Sequence, residues 1–170
     1  QKVWELLLVD DASTDGTPGL IDELALLDER IVALHHRTKS GQTGCFLSGF
    51  AAARGEVVVT IDADLQVFPE DIVLLLDRIA SGYDLVNGLR VDRDDSPAIV
   101  LCSKLGSILL RYASGIGLTD FTSNFTAIKR SYLTGLPLVG NDHRYIVPIV
   151  KSRGCTRMSE VGVRHVRRKK

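Results

Sequence analysis

The stretch Glu56-Val57-Val58-Val59-Thr60-Ile61-Asp62-Ala63-Asp64-Leu65-Gln66 decides the fold, because an apolar strand-like run ends there in alternating polar residues. In extended backbone, side chains two positions apart point to the same side of a sheet. We therefore expect Asp62, Asp64 and Gln66 to project their oxygen atoms together. Two converging carboxylates repel each other unless a cation joins them, and oxygen-only ligands suit Mg2+ or Mn2+ better than zinc. The stretch predicts a strand followed by a divalent-metal site for a phosphorylated substrate.

Strands and helices alternate on either side of this stretch. Strand-like runs lie at Trp4–Val9, Ile31–His35, Glu56–Ile61 and Tyr83–Asn87, with helix-like patterns at about 18–29, 43–54 and 70–80. This alternation predicts a doubly wound, mostly parallel sheet. After residue 90 the patterns predict a charged loop, a long helix at about 98–114, a strand near 124–129, a helix near 142–152 and a strand near 156–166.

Length and composition indicate one ordinary globular domain. The chain has 170 residues, of which 45% are hydrophobic and 25% charged, so it is long enough for a full core. Its formal net charge of zero gives no overall field that would favour nucleic acid. No apolar run approaches the roughly 20 residues that span a bilayer. Three widely spaced cysteines fit neither a disulfide framework nor a paired-cysteine metal site, and indicate a reducing compartment.

A second acidic cluster follows another predicted strand. Asp10 and Asp11 come directly after Leu6-Leu7-Leu8-Val9, about 50 residues before Asp62. Ligands of such sheets bind beyond the carboxyl ends of the strands, so we expect both acidic clusters at one edge. A capped turn accounts for the polar residues that follow, but it does not require two adjacent carboxylates. We interpret Asp10 and Asp11 as acceptors of hydrogen bonds from a nucleobase or ribose.

Further candidates lie near the same predicted edge. Arg90 ends the fourth strand and would suit a phosphate, although a solvated arginine in a charged loop fits equally well. Asp120 follows the long helix and is either a turn residue or a carboxylate that faces the pocket. Gln42, in a strand-to-helix turn, is a candidate to face the site. The histidines are interpreted as structural. The basic tail at 164–170 is either a solvated end or a contact for a phosphate or an anionic membrane surface.

Taken together, these residues resemble those of the family 2 glycosyltransferases of the GT-A fold. Within that family the chain is similar to the polyprenyl-phosphate sugar transferases of the dolichol-phosphate mannose synthase type. The matching stretches, in order, are Val9–Thr17, Gly41-Gln42-Thr43, Ala53-Arg54-Gly55-Glu56, Asp62–Gln66, Pro69-Glu70, Gly88-Leu89-Arg90, Asp120-Phe121-Thr122-Ser123, Phe125, Lys129-Arg130, His143-Arg144 and Glu160-Val161. The resemblance covers essentially the whole chain, and the ordered set is more specific than any one motif.

The resemblance implies an α/β, three-layer GT-A domain that performs a metal-dependent, inverting transfer. The sugar would move from a UDP- or GDP-sugar to undecaprenyl or dolichyl phosphate. The implied roles are nucleotide binding by Asp10, Asp11 and Asp62; Mg2+ or Mn2+ binding by Asp62, Asp64 and Gln66; phosphate binding by Arg90, Lys104 and Arg168; and catalysis by Asp64, Asp120 and Arg90. It also implies a cytoplasmic protein at a membrane surface, with any membrane helices outside this chain. The oligomeric state is not implied.

The sequence departs from the family in several places. The family's first strand, which lies next to Trp4–Val9 and carries a Pro-x-x-Asn-Glu type loop, is absent, and Asn124 and Gly162 replace a usual glycine and proline. Lys104 is an uncertain substitute for a basic residue that is missing just before Ser103. We therefore expect residues 1–170 to be a single catalytic domain truncated at both ends, and this piece alone to be weakly stable or inactive.

Three other classes were weighed. A phosphoacceptor receiver domain also has an Asp-Asp pair after its first strand and an aspartate about 50 residues later, but it leaves the Asp-x-Asp-x-Gln triplet unexplained. A haloacid-dehalogenase-type phosphatase uses Asp-x-Asp after a strand, but would have threonine or valine in place of Gln66. A fragment that binds a nucleotide sugar without transferring it is the third alternative.

Overall fold

Six strands and four α-helices make up the described part of the chain. The computed structural model describes residues 3–90, 118 and 123–166. The strands are β1 (Leu6–Asp10), β2 (Ile31–His35), β3 (Val57–Thr60), β4 (Leu85–Arg90), β5 (Thr126–Lys129) and β6 (Met158–Val163). The helices are α1 (Thr17–Leu27), α2 (Gly41–Ala52), α3 (Ile72–Ala80) and α4 (Ile146–Ser152), and short 3-10 turns precede α3 and α4 at Pro69–Asp71 and Asp142–Tyr145. The predicted helix at 98–114 lies outside the described residues.

The strands form two sheets. β1 pairs with β2 in parallel, and a second sheet has the order β3-β5-β4-β6. In it β5 is antiparallel to both β3 and β4, while β6 is parallel to β4. The larger sheet is therefore mixed. Its parallel share is smaller than predicted, because β5 enters antiparallel between β3 and β4.

The strand register places several carboxyl ends at one edge. Thr60 of β3 and Asn87 of β4 both pair with Thr126, so β3 and β4 run in the same direction and reach the same level. β4 continues to Arg90, which pairs with Val163 at the end of β6. The carboxyl ends of β3, β4 and β6 therefore lie on one side of the sheet, where ligands of such sheets bind.

Apolar side chains alternate between the two faces of the larger sheet. Leu85 and Ile128 pack in a cluster with α2 and α4, where Phe50 and Val150 are buried. Their neighbours Val86 and Ala127 pack on the opposite face with Leu75 of α3. Neighbouring strand residues therefore face opposite sides of the sheet, and helices pack against both sides. This confirms the predicted three-layer α/β/α arrangement.

The β1–β2 unit is the least buried part of the described fold. Within the described residues, β1 has a strand neighbour on one side only, and so does β3. Helix α1 contains no buried residue, and Leu26 and Leu27 are more than 80% exposed. The Glu5 carboxylate nevertheless links the starts of β1 and β3, because it accepts hydrogen bonds from the amides of Arg54 (2.7 Å) and Gly55 (3.1 Å). Unpaired strand edges at β1 and β3 are potential pairing sites for a further strand.

Candidate active site

Asp11 fixes the start of helix α2 to the end of β1. Its Oδ1 accepts a hydrogen bond from the Ser40 amide at 2.7 Å, and its Oδ2 accepts one from the Gly41 amide at 2.8 Å. Helix amides at this position have no partner within the helix, so a carboxylate there caps the helix and complements its dipole. The Ser40 amide and then the His36 ring lower the pKa of Asp11 well below its usual range. Asp11 is therefore a fixed negative charge at this edge.

Asp10, the last residue of β1, lies beneath the surface. Its side chain is 3% exposed and accepts weak hydrogen bonds from the Ser13 amide at 3.3 and 3.4 Å. His35 Nδ1 lies 3.5 Å from its Oδ2, and His35 also donates to Asp22 at 2.9 Å. Asp10 thus holds the loop after β1 in place, while Asp11 lies nearer the solvent.

Asp62 lies between helix α2 and the segment before β5. Its Oδ1 accepts a hydrogen bond from Gln42 Nε2 at 2.7 Å, and its Oδ2 accepts one from Asn124 Nδ2 at 3.0 Å. Ser40 and Gly41 contact Asp11, and the next residue, Gln42, contacts Asp62. These three consecutive residues therefore connect the two acidic clusters. The prediction that both clusters share one edge is confirmed. Both donors are neutral amides, and the Asp62 oxygens have lone pairs left for a cation.

Asp64 and Gln66 lie in a turn and not in a continuing strand. β3 ends at Thr60, and Leu65 has a φ of 59°, which is the left-handed region. Asp64 Oδ1 accepts a hydrogen bond from the Gln66 amide at 3.1 Å, closing the turn. The expectation that extended backbone would align Asp62, Asp64 and Gln66 is therefore wrong. Polar side chains that bond to nearby backbone amides compete with strand geometry, and here they prevail.

The C-terminal segment pairs with this turn. The Val166 amide donates to the Gln66 carbonyl at 2.9 Å, and Gln66 Nε2 donates to the Val166 carbonyl at 3.4 Å. Next to it, Val67 and His165 form an antiparallel bridge. Arg164 is anchored nearby on Asp71, with its Nη2 2.6 Å from Asp71 Oδ1. These contacts place residues 164–166 beside the carboxylate turn.

The remaining predicted residues are only partly described. Arg90 is the last residue of β4, half-buried and at the carboxyl edge. Strand β4 begins two residues later and ends three residues later than predicted, because its pairing with β6 extends as far as Arg90. Asp120, Lys104 and Arg168 lie outside the described residues. Their predicted roles stay predictions.

His143 contacts Thr43 of helix α2. Its Nδ1 is 3.0 Å from Thr43 Oγ1, and its backbone amide donates to the same oxygen at 3.2 Å. Burial, and then the charge of Arg144, lower the pKa of His143. A narrow cleft is lined by His143, Phe46, Thr60 and Asn124 among others. A neutral imidazole therefore faces this cleft close to the acidic edge.

Sequence reasoning missed the histidine contacts at this edge. His35 and His36 were interpreted as structural, yet they lie beside Asp10 and Asp11 respectively. Their signal was available, because both come at the end of a predicted strand, as the aspartates do. The interpretation of Asn124 as only a departure from the family also missed its contact with Asp62, which joins residues 62 positions apart.

Comparison with known proteins agrees with this geometry. The sequence profile described as "Glycosyl transferase family 2" matches residues 1–135. Among similar curated proteins, an undecaprenyl-phosphate 4-deoxy-4-formamido-L-arabinose transferase of Pectobacterium carotovorum is 34% identical over 168 residues, which are 98% of this chain and 51% of that protein. The protein of the same name from Pseudomonas aeruginosa is 32% identical, over 98% of this chain and 49% of its own length. The chain thus spans about half the length of these relatives.

Solved structures confirm the fold. Mannosyl-3-phosphoglycerate synthase of Rubrobacter xylanophilus superposes with a TM-score of 0.72 at 18% identity, over 98% of this chain and 56% of that one. Glucosyl-3-phosphoglycerate synthase of Mycobacterium tuberculosis, in complex with Mn2+, UDP-glucose and phosphoglyceric acid, superposes with a TM-score of 0.70 at 20% identity, over 97% and 61%. At such identities the likeness establishes the fold, which is the predicted GT-A fold.

The same findings exclude two of the three alternatives. The family match over residues 1–135 does not fit a receiver domain or a dehalogenase-type phosphatase. The antiparallel strand β5 inside the larger sheet also differs from the parallel doubly wound sheet expected of a receiver. Of the alternatives, a fragment that binds without catalysing transfer remains to be tested.

Proposed function

Because the chain belongs to glycosyl transferase family 2, we propose that the whole protein moves a sugar from a nucleotide diphosphate to a polyprenyl phosphate, with inversion. Relatives at 32–34% identity carry names that specify undecaprenyl phosphate as acceptor. The observation that carries the proposal is the junction of the two acidic clusters, in which residues 40–42 contact Asp11 and Asp62. We assign the diphosphate site to this junction, between strands β1 and β3.

A divalent cation, Mg2+ or Mn2+, fits the donor set on the β3 side of this junction. Asp62, Asp64 and Gln66 offer only oxygen ligands within five consecutive residues. Asp62 is already oriented by two amide donors, as ligating carboxylates commonly are. Bound there, the ion would neutralise the diphosphate and stabilise the departing nucleotide. The bound Mn2+ of the mycobacterial neighbour is consistent with this assignment.

The nucleotide would lie on the β1 side of the junction. We assign Asp11, Asp62 and, through the loop it holds, Asp10 to nucleotide binding. Asp11 is anchored by the α2 amides, so a base or ribose hydroxyl would meet a charge that does not need to move. The structural features leave both UDP and GDP open as donors.

The acceptor would approach from the side of β4 and the C-terminal segment. A phosphate monoester is largely ionised near neutral pH, so its oxygen can attack without a strong general base. The main obstacle is repulsion between that anion and the diphosphate, which arginine side chains offset. Arg90 at the end of β4 and Arg168 beyond the described residues are assigned to phosphate, with Lys104 as a further contact. Asp64 and Asp120 are assigned to the catalytic centre, Asp120 as a group that orients the acceptor.

The acceptor implies a protein at the cytoplasmic face of a membrane. A search of the described helices finds none long and apolar enough to cross a bilayer. The basic residues from Arg164 onward would add attraction to an anionic lipid surface, worth about 1 kcal/mol per residue near that surface. We propose membrane attachment through this tail and through parts of the protein outside this chain.

A transfer assay tests the proposal. The protein, extended to the length of its relatives, is incubated with UDP- or GDP-sugars, undecaprenyl phosphate and Mn2+, and the lipid product is identified by mass spectrometry. We expect a glycosyl-phosphate lipid, loss of product with EDTA, and loss of product in Asp64→Ala with the circular dichroism spectrum unchanged. Full transfer by the folded Asp64→Ala variant would refute the assignment of Asp64. Nucleotide-sugar binding without any lipid product would support the fragment that only binds.

A further inference from the structure

Three side chains near the ends of β1 and β2 form a cluster that the proposed transfer does not use as a unit. Asp11 follows β1, His36 follows β2, and Cys45 lies in helix α2. One ligand atom from each, a carboxylate oxygen, an imidazole nitrogen and the thiol sulfur, lies within 4.8 Å of the other two. We propose that Asp11, His36 and Cys45 bind Zn2+ at a second metal site, separate from the oxygen-lined turn at Asp62–Gln66.

The donor types distinguish this cluster from the first site. Thiolate and imidazole are the ligands of Zn2+ in proteins, whereas Mg2+ and Mn2+ prefer oxygen. In a tetrahedral zinc site with bonds of about 2.0–2.3 Å, ligand atoms lie roughly 3.3–3.8 Å apart. The present separations of up to 4.8 Å exceed that spacing by about 1 Å, a distance that side-chain rotation can close.

Hydrogen bonds to neighbouring groups hold two of the proposed ligands, His36 and Asp11, in place. His36 Nε2 lies 2.8 Å from Ser48 Oγ, which orients the ring with Nδ1 toward Asp11 at 3.0 Å. Asp11 Oδ2 is held by the Gly41 amide at 2.8 Å and Oδ1 by the Ser40 amide at 2.7 Å, so a cation would bind Oδ1 beside that amide while Oδ2 stays in place. Ligands that are hydrogen-bonded through their second polar atom are a regular feature of metal sites.

The Ser40 hydroxyl gives the cluster a fourth potential ligand atom. Its Oγ lies 2.9 Å from Asp11 Oδ1 and 2.7 Å from His36 Nδ1. A tetrahedral ion would take its fourth ligand from this hydroxyl or from water. Zinc binding replaces the Cys45 S–H bond with a sulfur–zinc bond and releases that proton to solvent. The site requires no transfer activity, so it does not depend on the proposed function.

Cobalt spectroscopy of the full chain tests the site, because Co2+ replaces Zn2+ and reports thiolate ligation by a near-ultraviolet charge-transfer band. We expect one tightly bound Co2+ per chain with that band, tetrahedral visible absorption, and displacement by one equivalent of Zn2+ but not by Mg2+. The band should vanish in Cys45→Ala, and affinity should fall about 10- to 100-fold in His36→Gln. The matched control His35→Gln, at the neighbouring histidine, and Asp64→Asn should both retain the band.

Absence of the band in the unaltered chain, or its persistence in Cys45→Ala, would overturn the proposal. So would equal losses in His36→Gln and His35→Gln. If circular dichroism shows that a variant is unfolded, the test uses the unaltered chain alone. The rate at which iodoacetamide alkylates Cys45 is then measured by peptide mass spectrometry, with and without Zn2+. Protection of Cys45 by Zn2+ supports the site, and an unchanged alkylation rate contradicts it.

Discussion

At the scale of single residues, the acidic side chains of this chain differ in what they do. Asp11 caps α2, Asp10 is buried against the loop that follows β1, and Asp62 accepts two side-chain amides. The sequence predicted where these carboxylates lie, because the ends of strands can be read from apolar runs. It did not predict their partners, since Ser40 is 29 positions from Asp11 and Asn124 is 62 positions from Asp62. Long-range hydrogen bonds leave no local pattern.

Asp11→Asn should reduce stability at neutral pH. An amide side chain loses the charge-assisted bonds to the Ser40 and Gly41 amides, at a cost of roughly 1–3 kcal/mol in the free energy of unfolding. The folded state lowers the pKa of Asp11, so its contribution is present above the unfolded pKa of about 4 and is lost as pH falls below it. Urea unfolding at pH 7 and pH 3 measures this. The difference from the unaltered chain should shrink at pH 3.

The control for Asp11→Asn is Glu23→Gln, which removes one exposed carboxylate from α1. We expect it to change the free energy of unfolding by less than about 0.5 kcal/mol. An Asp11→Asn effect that equals the control effect, or that grows toward acid pH, would show that the carboxylate does not cap α2.

Gln42→Ala should weaken Mn2+ binding at the first metal site. Gln42 Nε2 holds Asp62 Oδ1 at 2.7 Å, and loss of such an orienting partner typically costs about 10- to 100-fold in metal affinity. Electron paramagnetic resonance titration of free Mn2+ measures the affinity. Asn141→Ala removes another exposed side-chain amide and serves as control. Equal Mn2+ affinity in Gln42→Ala and Asn141→Ala would mean that Asp62 is not an oriented ligand.

At the scale of elements, the spacing of apolar residues along the sequence predicted the strands and helices well. β2 was predicted with its observed bounds. Helices α1 and α2 each end about two residues earlier than predicted, and α3 and α4 begin later than predicted because a 3-10 turn precedes each of them. The turn at Asp62–Gln66 was predicted wrongly, since its shape depends on the Asp64 carboxylate and the left-handed Leu65 backbone. The direction of β5 could not be predicted either. It depends on pairing with β3 and β4, which local pattern does not encode.

Gly88→Ala should destabilise the centre of the larger sheet. A Cβ at Gly88 would lie 2.9 Å from the Phe125 carbonyl oxygen and 3.2 Å from Val163 Cγ2, where strands β4, β5 and β6 pack. Overpacking of this kind costs about 1–3 kcal/mol in the free energy of unfolding. Thermal and urea unfolding provide the measurement. Gly16→Ala, with no atom within 4 Å of its Cβ, should be nearly neutral, and an equally neutral Gly88→Ala would argue against the packing.

The β1–β2–α1 unit should exchange its amide hydrogens faster than the larger sheet. Strand β4 has four buried residues and β1 has one, and α1 has none. Amides with little apolar cover open at low free energy. Hydrogen-exchange mass spectrometry of the chain should therefore show peptides from 17–35 exchanging well before those from 84–90. Equal protection in both regions would indicate that the unit is covered by something other than the described contacts.

At the scale of the whole molecule, the chain is a GT-A domain whose two sheets are linked by the contacts of Glu5 with Arg54 and Gly55 and of Gln42 with Asp62. Within the described residues, β1 and β3 each have one unpaired edge. The expectation that residues 1–170 are weakly stable or inactive on their own stays a prediction. Robust turnover by the isolated 170 residues would refute it.

The central claim is that the acidic edge holds a nucleotide diphosphate through a divalent ion, and calorimetric titration with UDP and GDP tests it most directly. The protein, extended to the length of its relatives, is titrated with each nucleotide, once in the presence of Mn2+ and once in the presence of EDTA. The Asp64→Asn variant is titrated in the same way. We predict binding of one of the two nucleotides that requires Mn2+ and is at least tenfold weaker in Asp64→Asn. Binding of equal strength in EDTA, or unchanged in Asp64→Asn, would contradict the account.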